Sequence, residues 1–136
     1  MKVILDTNVL ISALVFGGKP RAIFELIVID KTIVGVISKA ILNELLGVLE
    51  KKFKYSNFHL GKIETLIKEN FIIVSPKNIP DIIKEDRFDN QILAIVNEYI
   101  INYIISGDNH LLRIKIFKGI PVISPHNFVN KIFSSK

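Results

Sequence analysis

Residues 2–10 read KVILDTNVL. Val3, Ile4 and Leu5 form an apolar run of the kind presented by a strand buried on both faces. Asp6 ends the run with a carboxylate, Thr7 and Asn8 are polar, and the chain turns apolar again at Val9. A core strand that finishes in a charge needs a local reason. Either the acid caps a following helix, or it belongs to a site.

The same punctuation recurs. Lys2–Leu5, Thr32–Ile37, Phe71–Val74, Tyr103–Ile105 and Ile120–Ile123 read as five short strands. Between and after them, apolar residues at helical spacing predict helices over Asn8–Phe16, Arg21–Ile29, Ala40–Phe53, Phe58–Asn70, Gln91–Ile101, Asn109–Ile114 and His126–Phe133. Gly17-Gly18-Lys19-Pro20 reads as a turn with Pro20 opening a helix, and Ser38 as an N-cap. Lys77–Lys84, with Pro80 inside it, reads as a loop or a short irregular helix. Strands alternating with helices predict an α/β fold with a parallel sheet covered on both faces. Ligand sites in such sheets lie beyond the carboxyl ends of the strands.

That rule gathers the acids. Asp6 follows the first strand and Asp108 the fourth, so both project from one edge. Asp86 and Asp89 stand just before the helix that leads into the fourth strand, and Glu44 lies in the helix after the second. Both helices start on that same edge, so five carboxylates can converge there. Close like charges repel, and a fold tolerates them when a cation neutralises the group or some acids keep a proton. Carboxylates and water suit Mg²⁺ or Mn²⁺. The chemistry that follows is metal-assisted attack of water on a phosphodiester. Singly, each acid has a plainer reading: Asp6, Asp86, Asp89 and Asp108 as helix caps or first-turn acids, Glu44 as an ordinary helix residue. The joint pattern at strand ends carries the argument.

Composition sets bounds around this reading. The chain has 136 residues, one domain (1–136) by size, and no cysteine, which excludes disulfides and Cys-based zinc sites. Nearly half the residues are hydrophobic (49%), yet the longest uncharged stretches, 7–18 and 119–130, fall short of a membrane span. The expectation is a cytoplasmic protein that does not enter a membrane, its apolar excess used in the sheet and in an oligomer interface. The net charge is +5, from 18 basic and 13 acidic residues. Setting the five candidate acids aside leaves a basic shell around an acidic pocket, as a metal-dependent nuclease requires.

The blocks VILDTNVLISAL (3–14), SKAILNELLGVLEKKF (38–53), EDRFDNQILAIV (85–96), YIISGDNHLL (103–112) and IPVISPHNFV (120–129) together resemble the PIN-domain nucleases, and their toxin-like bacterial and archaeal branch in particular. The resemblance implies a PIN-like three-layer α/β/α fold, with a five-stranded parallel sheet flanked by helices and Mg²⁺ or Mn²⁺ at one edge. It implies endonucleolytic cleavage of RNA. Carried over, Asp6, Glu44, Asp89 and Asp108 are the catalytic acids and metal ligands, with Asp86 a close second to Asp89. Asn8 and Ser38 would orient carboxylates. Asn90 completes the family's Asp-x-x-Asp-Asn pattern, and Ser106 and Asn109 would contact the metal's water or a phosphate. Many such proteins are homodimers and are toxins blocked by an antitoxin protein. One departure stands out: where this branch often has a further acid two residues after Ser-Gly-Asp, this chain has His110. Imidazole is a poor Mg²⁺ ligand but acceptable to Mn²⁺, which puts a second metal in question. His59 and His126 show no ligand-like spacing.

Other readings compete, among them a phosphoacceptor receiver domain, which fails because no acidic pair precedes the end of the first strand. An aspartyl-phosphate phosphatase needs a second acid two residues after the first, where this chain has Asn8. GGKP lacks the glycine spacing and hydroxyl of a phosphate-binding P-loop. A non-catalytic RNA-binding or scaffold protein on the same fold would be marked by loss of the acids, and all are present, whereas a housekeeping RNA-processing protein would keep them.

Overall fold

The computed structural model describes residues 1–75 and 87–134, and for residues 87–90 and 93 the backbone alone. In chain order the elements are β1 (Lys2–Leu5), α1 (Thr7–Ile11), a π-helical turn (Ser12–Phe16), α2 (Gly18–Val28), β2 (Val34–Ser38), α3 (Lys39–Lys51), α4 (Asn57–Asn70), β3 (Phe71–Val74), α5 (Arg87–Glu98), β4 (Tyr103–Ile105), α6 (Asn109–Ile114), β5 (Ile116–Phe117), β6 (Ile120–Ile123) and α7 (Pro125–Ser134). The strands form one sheet in the order β3-β2-β1-β4-β6-β5. The five expected strands are all present and mutually parallel; β2 is offset from the expected Thr32–Ile37. The sequence reading missed β5, two residues that pair antiparallel with β6 at the sheet's edge.

Alternate residues of the strands feed two cores. Val3, Leu5, Ile37 and Ile105 pack with α1, α2, α3 and Phe128 of α7 on one face. Ile4, Val36, Ile104 and Val122 pack with Ile92 and Ile95 of α5 and Leu111 of α6 on the other. Three layers result, because a parallel sheet must be covered on both sides.

Helix starts follow local chemistry. Ile41 N–H donates to Ser38 Oγ at 3.1 Å, so Ser38 caps α3 as expected. The expected helix Asn8–Phe16 divides: α1 gives way to the π-helical turn, closed by the Gly17 N–H bond to Ser12 O at 2.8 Å. α2 already begins at Gly18, so the expected turn is tighter than read. Lys118 and Gly119 join β5 to β6, both at positive φ, as in a two-residue type I′ turn. The expected loop Lys77–Lys84 lies outside the described residues.

Chain order explains where a site can form. From β1 the chain winds outward to β2 and β3, then returns to lay β4 on the other side of β1. The two halves wind in opposite directions, which opens a crevice above the carboxyl ends of β1 and β4.

Candidate metal centre

β1 and β4 pair in a register that sets Leu5 beside Ile105. The next residues upward, Asp6 and Ser106, therefore stand side by side at the strand ends. Both are buried. Asp6 N–H donates to Ile105 O at 3.2 Å, and Ser106 N–H to Ile123 O at 3.0 Å, so each backbone is fixed by the neighbouring strand.

Every contact of the Asp6 carboxylate is specific. Val9 N–H donates to Oδ1 at 2.8 Å, which makes Asp6 the N-cap of α1. Ser106 Oγ–H donates to Oδ2, and the Gly107 N–H is a further donor. Burial pushes the Asp6 carboxyl above the ordinary aspartate range, and the nearby Asp108 carboxylate pushes the same way. The bonds from Ser106, Val9 and Gly107 oppose that shift without cancelling it. Among the described residues the ion pair found is Lys68–Glu64, and no described basic side chain neutralises Asp6.

Asp108 enters through the same hydroxyl. Its N–H donates to Ser106 Oγ at 3.0 Å, so Ser106 links both acids. Asp108 also caps α6, its Oδ1 accepting from His110 N–H at 2.9 Å. Glu44 reaches the crevice from α3, whose start Ser38 holds. Asp6, Thr7, Asn8, Glu44 and Asp108 line one cavity of about 170 Å³. A water's share of liquid volume is about 30 Å³, so the space takes a cation with several waters.

Two observations test whether a hard cation fits. The lining supplies oxygen donors almost exclusively, as Mg²⁺ and Mn²⁺ prefer. Thr7 Oγ1 is buried beside Asp6 and has no hydrogen-bond partner among the described residues, an arrangement that buried polar groups normally avoid. Against these, among the described residues no three His, Asp or Glu side chains draw together into a closed metal-binding group. The fit is that of an open site.

The remaining expected residues divide. Asp89 and Asn90 sit in the first turn of α5, which begins at Arg87 rather than at Gln91, so they lie on the helix and not before it. Asp86 lies outside the described residues. Asn109 and His110 are exposed at the start of α6 and do not line the cavity. Ser38 bonds to its own helix, whereas Ser106 holds the carboxylate. Thr7 was not singled out in the sequence; the only signal for it was its place directly after the strand-end acid.

No curated protein matches the chain. Among solved structures it is similar to the PIN domain endonuclease Utp24, with a TM-score of 0.54 and 21% identity over 90% of this chain and 84% of that one. It is also similar to PAE2754 from Pyrobaculum aerophilum, with a TM-score of 0.62 and 10% identity over 98% of this chain and 90% of that one. At these identities the likeness is one of fold. No described helix is long and apolar enough to cross a membrane. A family model for the PIN domain matches residues 2–110, a span that takes in β1 with Asp6, Glu44, Asp89 and β4 with Asp108. The chain belongs to the PIN domain family, whose members are generally metal-dependent nucleases.

Proposed function

We propose that the chain is a Mg²⁺- or Mn²⁺-dependent endoribonuclease that hydrolyses phosphodiester bonds at the crevice above β1 and β4. The observation that carries this reading is Asp6: a buried carboxylate with no basic partner among the described residues, sharing a cavity with Glu44 and Asp108. Asp6, Glu44 and Asp108 would hold the ion, with Asp89 and Asp86 completing the set. A bound ion supplies charge neutralisation at the phosphate and a lowered pKa for the attacking water.

The chain's own groups do the rest. Ser106 fixes Asp6 Oδ2 and, by accepting from Asp108 N–H, sets the distance between the two strand ends. Val9 N–H holds Oδ1, so the carboxylate does not turn. Glu44 is exposed on the cavity wall, where its carboxylate would face the ion. Asn8, exposed on the cavity wall, would donate to a phosphate oxygen.

In its specific form the proposal is a cytoplasmic toxin of a toxin–antitoxin pair, active as a homodimer. Support for a second copy is the open apolar groove lined by Leu14, Phe24, Val28, Ile29 and Leu66 between the π-helical turn, α2 and α4. A second reading is a non-catalytic or housekeeping RNA-binding or RNA-processing PIN-domain protein; among the described residues the acids form no closed metal-binding group.

The test is cleavage of a mixed pool of labelled structured and single-stranded RNAs with Mg²⁺, Mn²⁺ or EDTA, using wild type beside Asp6→Asn. Cutting that requires metal and falls by about two orders of magnitude or more in the variant supports the nuclease. Cutting by the variant at the wild-type rate overturns the assignment of Asp6.

A further inference from the structure

The net charge is not spread evenly. Residues 109–136 contain Arg113, Lys115, Lys118, Lys131 and Lys136 and no acid at all. The preceding 108 residues hold the other 13 basic residues and all 13 acids, so they are neutral overall. The whole +5 thus resides in the segment that begins immediately after Asp108.

Three of these charges are exposed on consecutive elements at the outer side of the sheet. Arg113 lies in the last turn of α6, Lys115 ends that helix, and Lys118 sits in the β5–β6 turn. All three are exposed, as are Ile114 and Ile116 between them. Among the described residues none of the three meets a carboxylate. α6 is capped at its start by Asp108 itself and Arg113 follows five residues later, so about 7.5 Å of helix separates the candidate metal centre from the first cation. β5 is the outermost strand of the sheet, so nothing beyond it in the sheet blocks an approach. The PIN domain match ends at residue 110, before any of these cations.

We propose that the α6–β5–β6 edge is the docking surface for the nucleic-acid backbone. Arg113, Lys115 and Lys118 grip phosphates of a single strand whose scissile bond lies over Asp6 and Asp108. The inference rests on the nuclease reading and adds to it where the strand runs. A polyanion fits better than an apolar partner because three unpaired cations flank only two exposed aliphatic side chains. Neutralising phosphates releases counterions, so binding through this edge carries a definite salt dependence.

The experiment measures binding of a fluorescent oligouridylate by anisotropy, in EDTA so that nothing is cut, across a salt series. Wild type is compared with Arg113→Gln/Lys115→Gln/Lys118→Gln. Lys51→Gln/Lys54→Gln/Lys62→Gln removes the same charge elsewhere, and Arg113→Lys/Lys115→Arg/Lys118→Arg keeps the charge in place. The edge variant should bind at least about tenfold more weakly, with its log–log salt slope reduced by about 2, as expected for three lost single-strand phosphate contacts. The charge-keeping variant should bind as wild type does, which excludes misfolding as the cause. Equal losses in the edge and control variants would overturn the proposal, as would an unchanged slope. So would unchanged RNA affinity with loss of binding to a poly-glutamate peptide, which would assign the edge to an acidic protein. Parallel Mn²⁺ cleavage assays keep the two readings apart. Metal-dependent cutting with an unchanged slope sinks the edge alone; edge-dependent binding without cutting sinks the nuclease alone.

Discussion

Replacing Asp6 by asparagine keeps the shape and the Val9 cap while removing the buried charge. Because burial holds this carboxyl above its ordinary range, the folded chain binds the proton more readily than the unfolded chain. Stability therefore falls as pH rises through the raised value. In EDTA, Asp6→Asn should melt higher than wild type at neutral pH, and the gap should close as pH drops toward the ordinary aspartate range; calorimetry across pH checks this. Thr7 makes a companion case. Thr7→Val removes an unpartnered buried hydroxyl, which should stabilise the metal-free protein by about 1 kcal/mol. If that oxygen serves the ion or its water, Mn²⁺ affinity measured by titration calorimetry should fall in the same variant. The sequence placed Asp6 and Asp108 correctly at strand ends, because a charge closing an apolar run is visible in one dimension. It did not show Ser106 as the link between them, since that role depends on the β1–β4 register across 100 residues.

Among the elements, β2 and β3 depend on one glycine. A Cβ on Gly35 would lie 2.4 Å from Cε2 of Phe71, the residue that pairs with it on β3, and 3.0 Å from Ile27 Cδ1. The Phe71 ring packs there with Phe24. Gly35→Ala should cost about 1–3 kcal/mol, read as a lower urea midpoint. The effect should reach the site only indirectly, because β2 carries α3 and with it Glu44. Strand and helix identities were legible where burial forces a period. β1, β3, β4 and β6 match their expected limits because they are short apolar runs between turn residues. β5 escaped notice because two residues at an edge have no period to read. The start of α5 was placed too late because three of the four residues 87–90 are polar, although acids are favoured in a helix's first turn.

For the molecule as a whole, metal binding should appear as stability. A ligand that binds only the folded chain adds about 2.7 kcal/mol at a hundredfold excess over its dissociation constant. Mn²⁺ should therefore raise the melting temperature by several degrees at neutral pH, less at acidic pH as protons compete for the carboxylates, and not at all in Asp6→Asn. Scanning fluorimetry at several pH values reads all three arms. The long separation between Asp6 and Ser106 also bears on how the chain comes into being. During synthesis β1 emerges first, but the serine that orients its terminal acid follows 100 residues later. Until β4 has left the ribosome and docked beside β1, the crevice lacks one wall. Asp6 and Asp108 therefore come together at the crevice only once residue 108 has been made and β4 has docked.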